Sequence, residues 1–389
     1  MYLIGIDISK YKHDCFIATE AGEIIKDSFS FDNCSKGFSQ LLEVLKSLDP
    51  SQTKRIGLEA TGHYGYNLKV FLDHHGFDYM EFNPYLVRKL ATGLSLRKTK
   101  TDKADSKLLS MILLSVDYKV YPVKSYHIQE LKSLTRYYKT LVKKHSKELV
   151  ALTNILDLVF PEFKPFFGNR FSKTAFYLLD HYLTPKEISR ISQSGYKKIY
   201  SLSRGRFSYA RLMKLKDLAR NTVGHSSQLL MLQLKSSLNL IRSIDSEINS
   251  VKSALLDCAV KLDSPIFSIN GVGPISALSI IAEYGNFISF DSPAAMLSFA
   301  GLEPSVIQSG TIDKQGHMVK RGSGYLRETL MNVSMFFMIN NPTIYEYYLK
   351  KRNEGKTHRV ALSHVAKKLI RIIFHLVKVN TQFNYLKLR

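Results

Sequence analysis

Four carboxylates, each at the edge of an apolar segment, constrain the fold of this 389-residue chain more than any other feature. Asp7 closes the run Leu3-Ile4-Gly5-Ile6, and Glu59 closes Ile56-Gly57-Leu58 just before a Thr61-Gly62 turn. Asp102 and Asp105 follow Lys100-Thr101 at the start of an apolar helical pattern, three residues apart, so both project from one helix face. Acids drawn to one point repel unless a divalent cation lies between them, and phosphodiester chemistry uses such a clamp. Mg²⁺ is the expected ion, because hard carboxylate oxygens and phosphates suit it. Each acid also has an ordinary reading: a surface acid at a strand end for Asp7, a turn cap for Glu59, a helix N-cap for Asp102. Asp105 lies too deep in the first turn to cap, and is read as a ligand or as the orienter of a metal-bound water.

The elements between these acids have a definite order. Tyr2–Asp7, His13–Thr19 and Ile24–Phe31 read as three successive strands, with Gly22 in a turn. Phe38–Leu48 has helical periodicity, Arg55–Glu59 is a fourth strand, and Tyr66–His75 is a helix ended by Gly76. Tyr79–Asn83 is a fifth strand, and a helix from about Thr101 to Leu114 closes the segment. One acid on the first strand, one ending the fourth and the last on a late helix resembles the α/β ribonuclease-H-like (RuvC-like) fold over residues 1–120.

Residues 121–262 read as a basic helical and coiled-coil region. Ile128–Phe160 is a long amphipathic run stopped by Pro161. Residues 161–224, broken by Pro165, Gly168, Pro185, Gly195 and Gly205, show no assignable pattern. From Leu234 the apolar positions Leu238, Ile241, Ile244, Ile248, Val251, Leu255, Cys258 and Leu262 form a 3–4 seam. That seam fits an antiparallel hairpin within one chain or a dimer interface equally well. Residues 263–389 read as mainly α, with a loop around Ser305–Gly324. Within them, Phe267 to Ile275 resembles a helix-hairpin-helix, in which Gly271 and Gly273 let backbone N–H groups approach a phosphate. A tight turn with no ligand uses the same residues.

Charge narrows the partner. The net charge is +22 and the isoelectric point about 9.6. Residues 1–120 carry 16 Lys/Arg against 15 Asp/Glu, whereas residues 121–260 carry 23 against 10. A nearly neutral acid-bearing segment is thus followed by basic ones suited to nucleic acid, though a basic surface with no specific partner has the same composition. Cys15, Cys34 and Cys258 lie far apart, which argues against disulfide and zinc frameworks and for a reducing cytosol. The N-terminus lacks the pattern of a signal peptide, and stretches such as Leu369–Val379 are interrupted by Arg371, His375 and Lys378, so no bilayer span is expected.

With these residues in view the chain resembles the DEDD transposases of bacterial insertion sequences, the IS110 family of bridge-RNA-guided recombinases related to Piv-type DNA invertases. Gly5-Ile6-Asp7, Glu59-Ala60-Thr61-Gly62 with Tyr64, Asn83-Pro84, and Lys100-Thr101-Asp102 with Ala104-Asp105 carry the N-terminal likeness. Gly271-Val272-Gly273, Phe299-Ala300-Gly301-Leu302-Glu303-Pro304, Ser309-Gly310 and Lys320 through Leu326-Arg327 carry the C-terminal one. The resemblance implies a metal site of Asp7, Glu59, Asp102 and Asp105, and a nucleophilic serine at Ser309. It also implies donor and target DNA, a guide RNA, a homo-oligomer (dimer or tetramer), and a cytoplasmic, nucleoid-associated bacterial enzyme. Lys314, Lys320, Arg321 and Arg327 would neutralise phosphate near Ser309, each with a solvated-surface alternative. His63 and His317 are read as ordinary polar residues, since neither has a spaced His/Cys partner. Tyr137, Tyr138, Tyr177, Tyr200 and Tyr209, interleaved with basic residues, suit stacking on RNA bases or helical packing alike. The runner-up is a ribonuclease-H-fold endonuclease or junction resolvase that hydrolyses with activated water. A third reading is a catalytically silent nucleic-acid-binding protein.

Overall fold

The computed structural model describes residues 1–388 apart from 60, 61, 83, 85, 86, 89, 91–101, 116–124, 169, 170, 310 and 311. The side chains of residues 102, 103, 125–127, 288, 305–309 and 312–317 also lie outside the description. The chain divides into two compact units, one formed by Met1–Ser133 with Ser264–Arg389 and the other by Leu134–Asp263.

The first unit begins with β1 (Tyr2–Ile8), β2 (Lys12–Thr19), β3 (Ile24–Asp32), α1 (Ser35–Ser47), β4 (Lys54–Glu59), α2 (Tyr66–His74), β5 (Tyr79–Phe82) and α3 (Asp102–Ser115). The sheet order is β3-β2-β1-β4-β5. The first three strands are antiparallel neighbours, while β4 and β5 run parallel to β1. This mixed sheet with helices is compatible with the ribonuclease-H-like arrangement expected from the element order. As the central strand, β1 is buried on both faces, which is why it reads as a nearly continuous apolar run. Side chains alternate along it. Ile4 and Ile6 join Leu41, Leu45, Leu68 and Leu72 beneath α1 and α2. Leu3 joins Phe82, Leu109, Ile112 and Leu113 beneath α3.

The helix α4 (Ser125–Val159) starts in this unit and explains why both ends of the chain belong to it. Tyr66 Oη donates to Glu130 Oε1 at 2.8 Å, and Lys132 Nζ stands 3.7 Å from the buried carboxylate of Glu283. Ser323 Oγ also donates to Glu283, at 2.8 Å. The boundaries at 133/134 and 263/264 therefore follow contacts of α4 that composition does not reveal.

The second unit consists of the rest of α4, five short helices and a second long helix. These are α5 (Phe163–Phe167), α6 (Lys173–His181), α7 (Pro185–Ser189), α8 (Gln193–Leu202), α9 (Tyr209–Arg220) and α10 (Gln228–Lys261). Serine or threonine caps open five of them: Ser172, Thr184, Ser192, Ser208 and Ser227 each accept a backbone N–H. Leu152, Leu156, Phe160, Phe163, Leu178, Leu212, Leu215, Leu234, Leu238 and Ile241 share one core. In α10 the seam residues Leu234, Leu238, Ile241, Val251 and Leu255 are buried within the single chain, and His145 pairs with Asp245 at 3.1 Å. Part of the seam is thus covered within the chain, whereas Ile244, Ile248 and Cys258 are half-buried and Leu262 is exposed. Leu238→Ala is expected to lower stability by about 2–5 kcal/mol in urea melts, with the oligomeric state by light scattering unchanged. Loss of an oligomer at full stability would return the seam to a partner.

The C-terminal part of the first unit contains α11 (Pro274–Tyr284), α12 (Pro293–Ala300), the antiparallel hairpin β6 (Pro304–Ser309) and β7 (Ile312–Met318), α13 (Gly324–Ile339), α14 (Pro342–Asn353) and α15 (His358–Val379). Two expectations change here. The loop expected around Ser305–Gly324 is largely this hairpin, with Val306-Ile307 and Ile312 flanking a two-residue connection. The expected helix-hairpin-helix has only a four-residue 3-10 turn, Pro265–Ser268, as its first arm before α11. Among the described residues, no helix is long and apolar enough to cross a membrane.

Candidate active site

The acids gather by strand register. Ile6 stands beside Leu58 in the parallel pair, so the next residues, Asp7 and Glu59, are neighbours at the C-terminal ends of β1 and β4. Across the antiparallel pair Asp7 faces Asp14, and Asp14 in turn faces Ser30. Residues directly opposite share a face, with Cβ atoms roughly 4.5–5.5 Å apart. The row Ser30, Asp14, Asp7, Glu59 therefore lies on one face of the sheet, and that face is the one covered by α3.

α3 approaches this face closely because Gly5 has no side chain. A Cβ on Gly5 would lie 2.1 Å from the backbone oxygen of Ser106 and 2.5 Å from the backbone nitrogen of Ser110. Ser106 and Ser110 are buried, and Ser106 Oγ is 3.2 Å from Ser28 Oγ on β3. Leu109, Ile112 and Leu113 pack beneath the same helix face. Asp105 immediately precedes Ser106, so it belongs to the turn of α3 that is seated on this face of the sheet. Asp7, Glu59 and Asp105 are half-buried. The backbone of Asp102 begins α3; its side chain lies outside the described residues.

Asp14 is an acid that sequence reading did not single out. It is 2 % exposed, accepts from Ser30 Oγ at 2.6 Å, and has Lys12 Nζ 3.8 Å from Oδ2. The signal for it was the even spacing of a short β1–β2 hairpin, which places residues 7 and 14 opposite each other only once the register is known. Among the described residues, no three His, Cys, Asp or Glu side chains are drawn close enough to hold a metal by themselves. The donor set nonetheless fits a hard divalent cation: adjacent carboxylates on one face and only oxygen ligands. Cys15 is no competing nucleophile, because burial pushes its thiol well above the ordinary range.

The C-terminal candidates separate into exposed and engaged groups. Ser309 is the last residue of β6, paired with Ile312 across the two-residue connection. The side chains of Ser309 and Lys314, and all of Gly310, lie outside the described residues. Lys320 and Arg321 are exposed at the base of the hairpin, and Lys320 has a left-handed backbone, φ 55°. Arg327 is engaged: its Nη1 donates to the carbonyls of Ala300 at 3.3 Å and Lys320 at 3.4 Å, bracing the turn below the hairpin. Gly271 is required by packing. Its φ is +88°, and a Cβ there would lie 2.6 Å from the carbonyl oxygen of Phe336. Gly273 is exposed at the N-terminus of α11 with open space around it, so of the two glycines it is the one a phosphate can reach. His63 lies 4.3 Å from the Tyr64 ring at a tilt of 50°, an ordinary ring contact, whereas the side chain of His317 lies outside the described residues.

Comparison with known proteins bears on both ends of the chain. A transposase family model of the DEDD IS110 type matches residues 4–161, and a model for transposases of the IS116/IS110/IS902 family matches residues 263–349. An uncharacterized 43.6 kDa protein of insertion element IS110 from Streptomyces coelicolor is 31% identical over 38% of this chain and 36% of its own length. The uncharacterized 44.8 kDa protein of insertion element IS116 from Streptomyces clavuligerus is 20% identical over 96% of this chain and 94% of its own. The pilin gene-inverting protein of Moraxella bovis is 23% identical over 98% of this chain and 97% of its own.

Proposed function

The chain belongs to the IS110 family of transposases, enzymes of DNA recombination, and from that premise we propose that it mobilises an insertion sequence by cutting and rejoining DNA through the acids of the sheet face and a serine nucleophile. The observation that carries this reading is the juxtaposition of Asp7 and Glu59 at the ends of parallel strands, with the helix of Asp105 seated on the same face. Asp7, Glu59, Asp102 and Asp105 would hold Mg²⁺, which when bound polarises phosphoryl oxygens and offsets their charge.

The remaining steps belong to the chain's own groups. The Ser309 hydroxyl attacks phosphorus, its proton passes to a base of the carboxylate type, and the bond to the departing sugar oxygen breaks as that oxygen takes up a proton. One phosphodiester is exchanged for another, so rejoining needs no external energy source. Lys314, Lys320 and Arg321 are suited to the phosphate charge near Ser309, and Gly273 to backbone contact with DNA. Full-length alignment with a protein named for inverting a pilin gene supports a rearrangement of DNA strands. Strand exchange acts on two duplexes, which one Ser309 per molecule cannot serve, so the working form is a homo-oligomer. A guide RNA supplies sequence choice by base pairing, and the protein reads backbone and shape.

Trapping on a nicked suicide substrate tests the serine. Wild-type protein is expected to form a detergent-resistant protein–DNA adduct, and Ser309→Ala none. Cleavage that leaves free ends and no adduct in the wild type would replace this reading with hydrolysis by water.

A further inference from the structure

The segment from Lys197 to Arg220 has no role in the chemistry above, yet it is strongly lopsided in charge. It carries Lys197, Lys198, Arg204, Arg206, Arg211, Lys214, Lys216 and Arg220 against a single acid, Asp217. Seven of these cations are exposed and Lys216 is half-buried. None of the eight takes part in an ion pair among the described residues. The acids nearby are engaged otherwise: Asp180 pairs with Arg242, Glu187 closes the cap of α7, and Glu162 accepts from Thr222 Oγ1 at 2.6 Å. Asp217 accepts from Asn221 at 3.2 Å. A fold that wanted only solubility would intersperse the signs, because uncompensated like charges repel and destabilise the compact state.

The same helices carry flat apolar surface. Tyr196 lies 5.8 Å from Tyr200 and 5.3 Å from Tyr209, ring to ring, and Tyr200 and Tyr209 are 47% and 51% exposed. Beside them a groove of about 920 Å³ is lined by Pro165, Phe166, Arg211, Lys214, Leu218 and Val223, among others. The Arg211 guanidinium lies 5.2 Å over the Phe166 ring and donates to the Phe166 carbonyl at 3.3 Å, which holds this cation at the groove wall. Val223 is 86% exposed at its rim.

We infer that α8, α9 and this groove bind a single-stranded nucleic-acid segment, with the cations following the backbone and Tyr200, Tyr209 and the Phe166 wall receiving unstacked bases. Duplex does not fit as well: its bases are stacked on one another and present phosphates only, which leaves exposed tyrosines without use. The inference rests on the nucleic-acid reading of the family for its class of partner. It is measured as binding without cleavage, so the two readings fail separately.

The test uses full-length protein and labelled 20-nucleotide single-stranded RNA, single-stranded DNA and duplex DNA in fluorescence anisotropy. The fourfold variant Lys197→Gln, Lys198→Gln, Lys214→Gln, Lys216→Gln is expected to bind single strands roughly tenfold or more weakly. The slope of log affinity against log salt should flatten by about 3, near 0.7 per lost phosphate contact. Tyr200→Leu with Tyr209→Leu, which keeps every charge, is expected to lose about 5- to 30-fold on single strands and little on duplex. Whichever of RNA or DNA loses more identifies the strand bound. Unchanged single-strand affinity in both variants, or a loss confined to duplex, overturns the inference. Should either variant melt early, photo-crosslinking of wild-type protein decides: crosslinked peptides from 160–168 and 196–223 uphold it, and crosslinks only elsewhere refute it.

Discussion

Asp7→Asn is expected to abolish strand cleavage, with a loss of about 10³-fold or more, while affinity for DNA stays within about twofold. The size follows from the proposed role of Asp7, a charge that would neutralise the metal and orient it where phosphate charge develops, an effect worth several kcal/mol in a water-poor site. Asn matches Asp in shape, and Asp7 is half-buried on a strand held by Ile4 and Ile6 on the opposite face, so the fold survives. Gel assays of nicked product with parallel binding curves provide the measurement. Asp105→Asn is expected to behave alike, because its helix is seated on the same face. A variant that still cleaves at wild-type rate in either position would remove that acid from the site.

Gly5→Ala is expected to cost the next largest share of activity without touching an acid. The added methyl would fall 2.1 Å from the oxygen of Ser106 and 2.5 Å from the nitrogen of Ser110, both backbone atoms of α3. Backbone cannot rotate aside, so the helix itself must shift, and Asp105 shifts with it. A displacement of about 1 Å at a catalytic group costs on the order of 10²-fold in rate, and overpacking of this kind costs about 1–3 kcal/mol in stability. Gly57→Ala is the contrast. Its Cβ would meet the Phe82 ring edge at 2.6 Å and Leu113 side-chain carbons at 3.2 Å, which are groups able to adjust. Steady-state cleavage and thermal melts on the pair separate the two causes. Equal losses in both would mean that general destabilisation, and not the seating of α3, sets the activity.

Much of the first unit was legible because its signals are local. Apolar runs of strand length, Gly76 after α2 and acids at strand ends gave the order and nearly the bounds of all five strands, with β5 ending at Phe82 and α3 beginning at Asp102. What local pattern lacks is register. Asp14 becomes a neighbour of Asp7 only when β2 is paired residue by residue with β1, and Gly5 looks like any strand glycine until Ser106 is placed above it. In residues 161–224 the prolines and glycines are legible as breaks, but the serine and threonine caps between them, which open α6 to α9, are too common in loops to mark a helix start by themselves. The seam from Leu234 fixed a buried stripe and left its partner open, since heptads specify a face and not the helix that meets it. The hairpin carrying Ser309 was hidden because its strands flank a Ser-Gly that reads as loop, in a basic segment with little alternation. The carbonyls of Ala300 and Lys320 that Arg327 braces are likewise invisible in the sequence, where the residue is simply a cation near Ser309.

The proposed cation site lies among the acids on one face of the sheet, at the ends of β1 and β4 beside α3. Anomalous diffraction from crystals grown with Mn²⁺, a substitute for Mg²⁺ that scatters measurably, examines it directly. A peak bounded by Asp7, Glu59 and Asp105 is expected, absent from crystals of Asp7→Asn protein. A peak elsewhere, with the face between β1, β4 and α3 empty in protein that cleaves DNA in the same Mn²⁺ buffer, would contradict it.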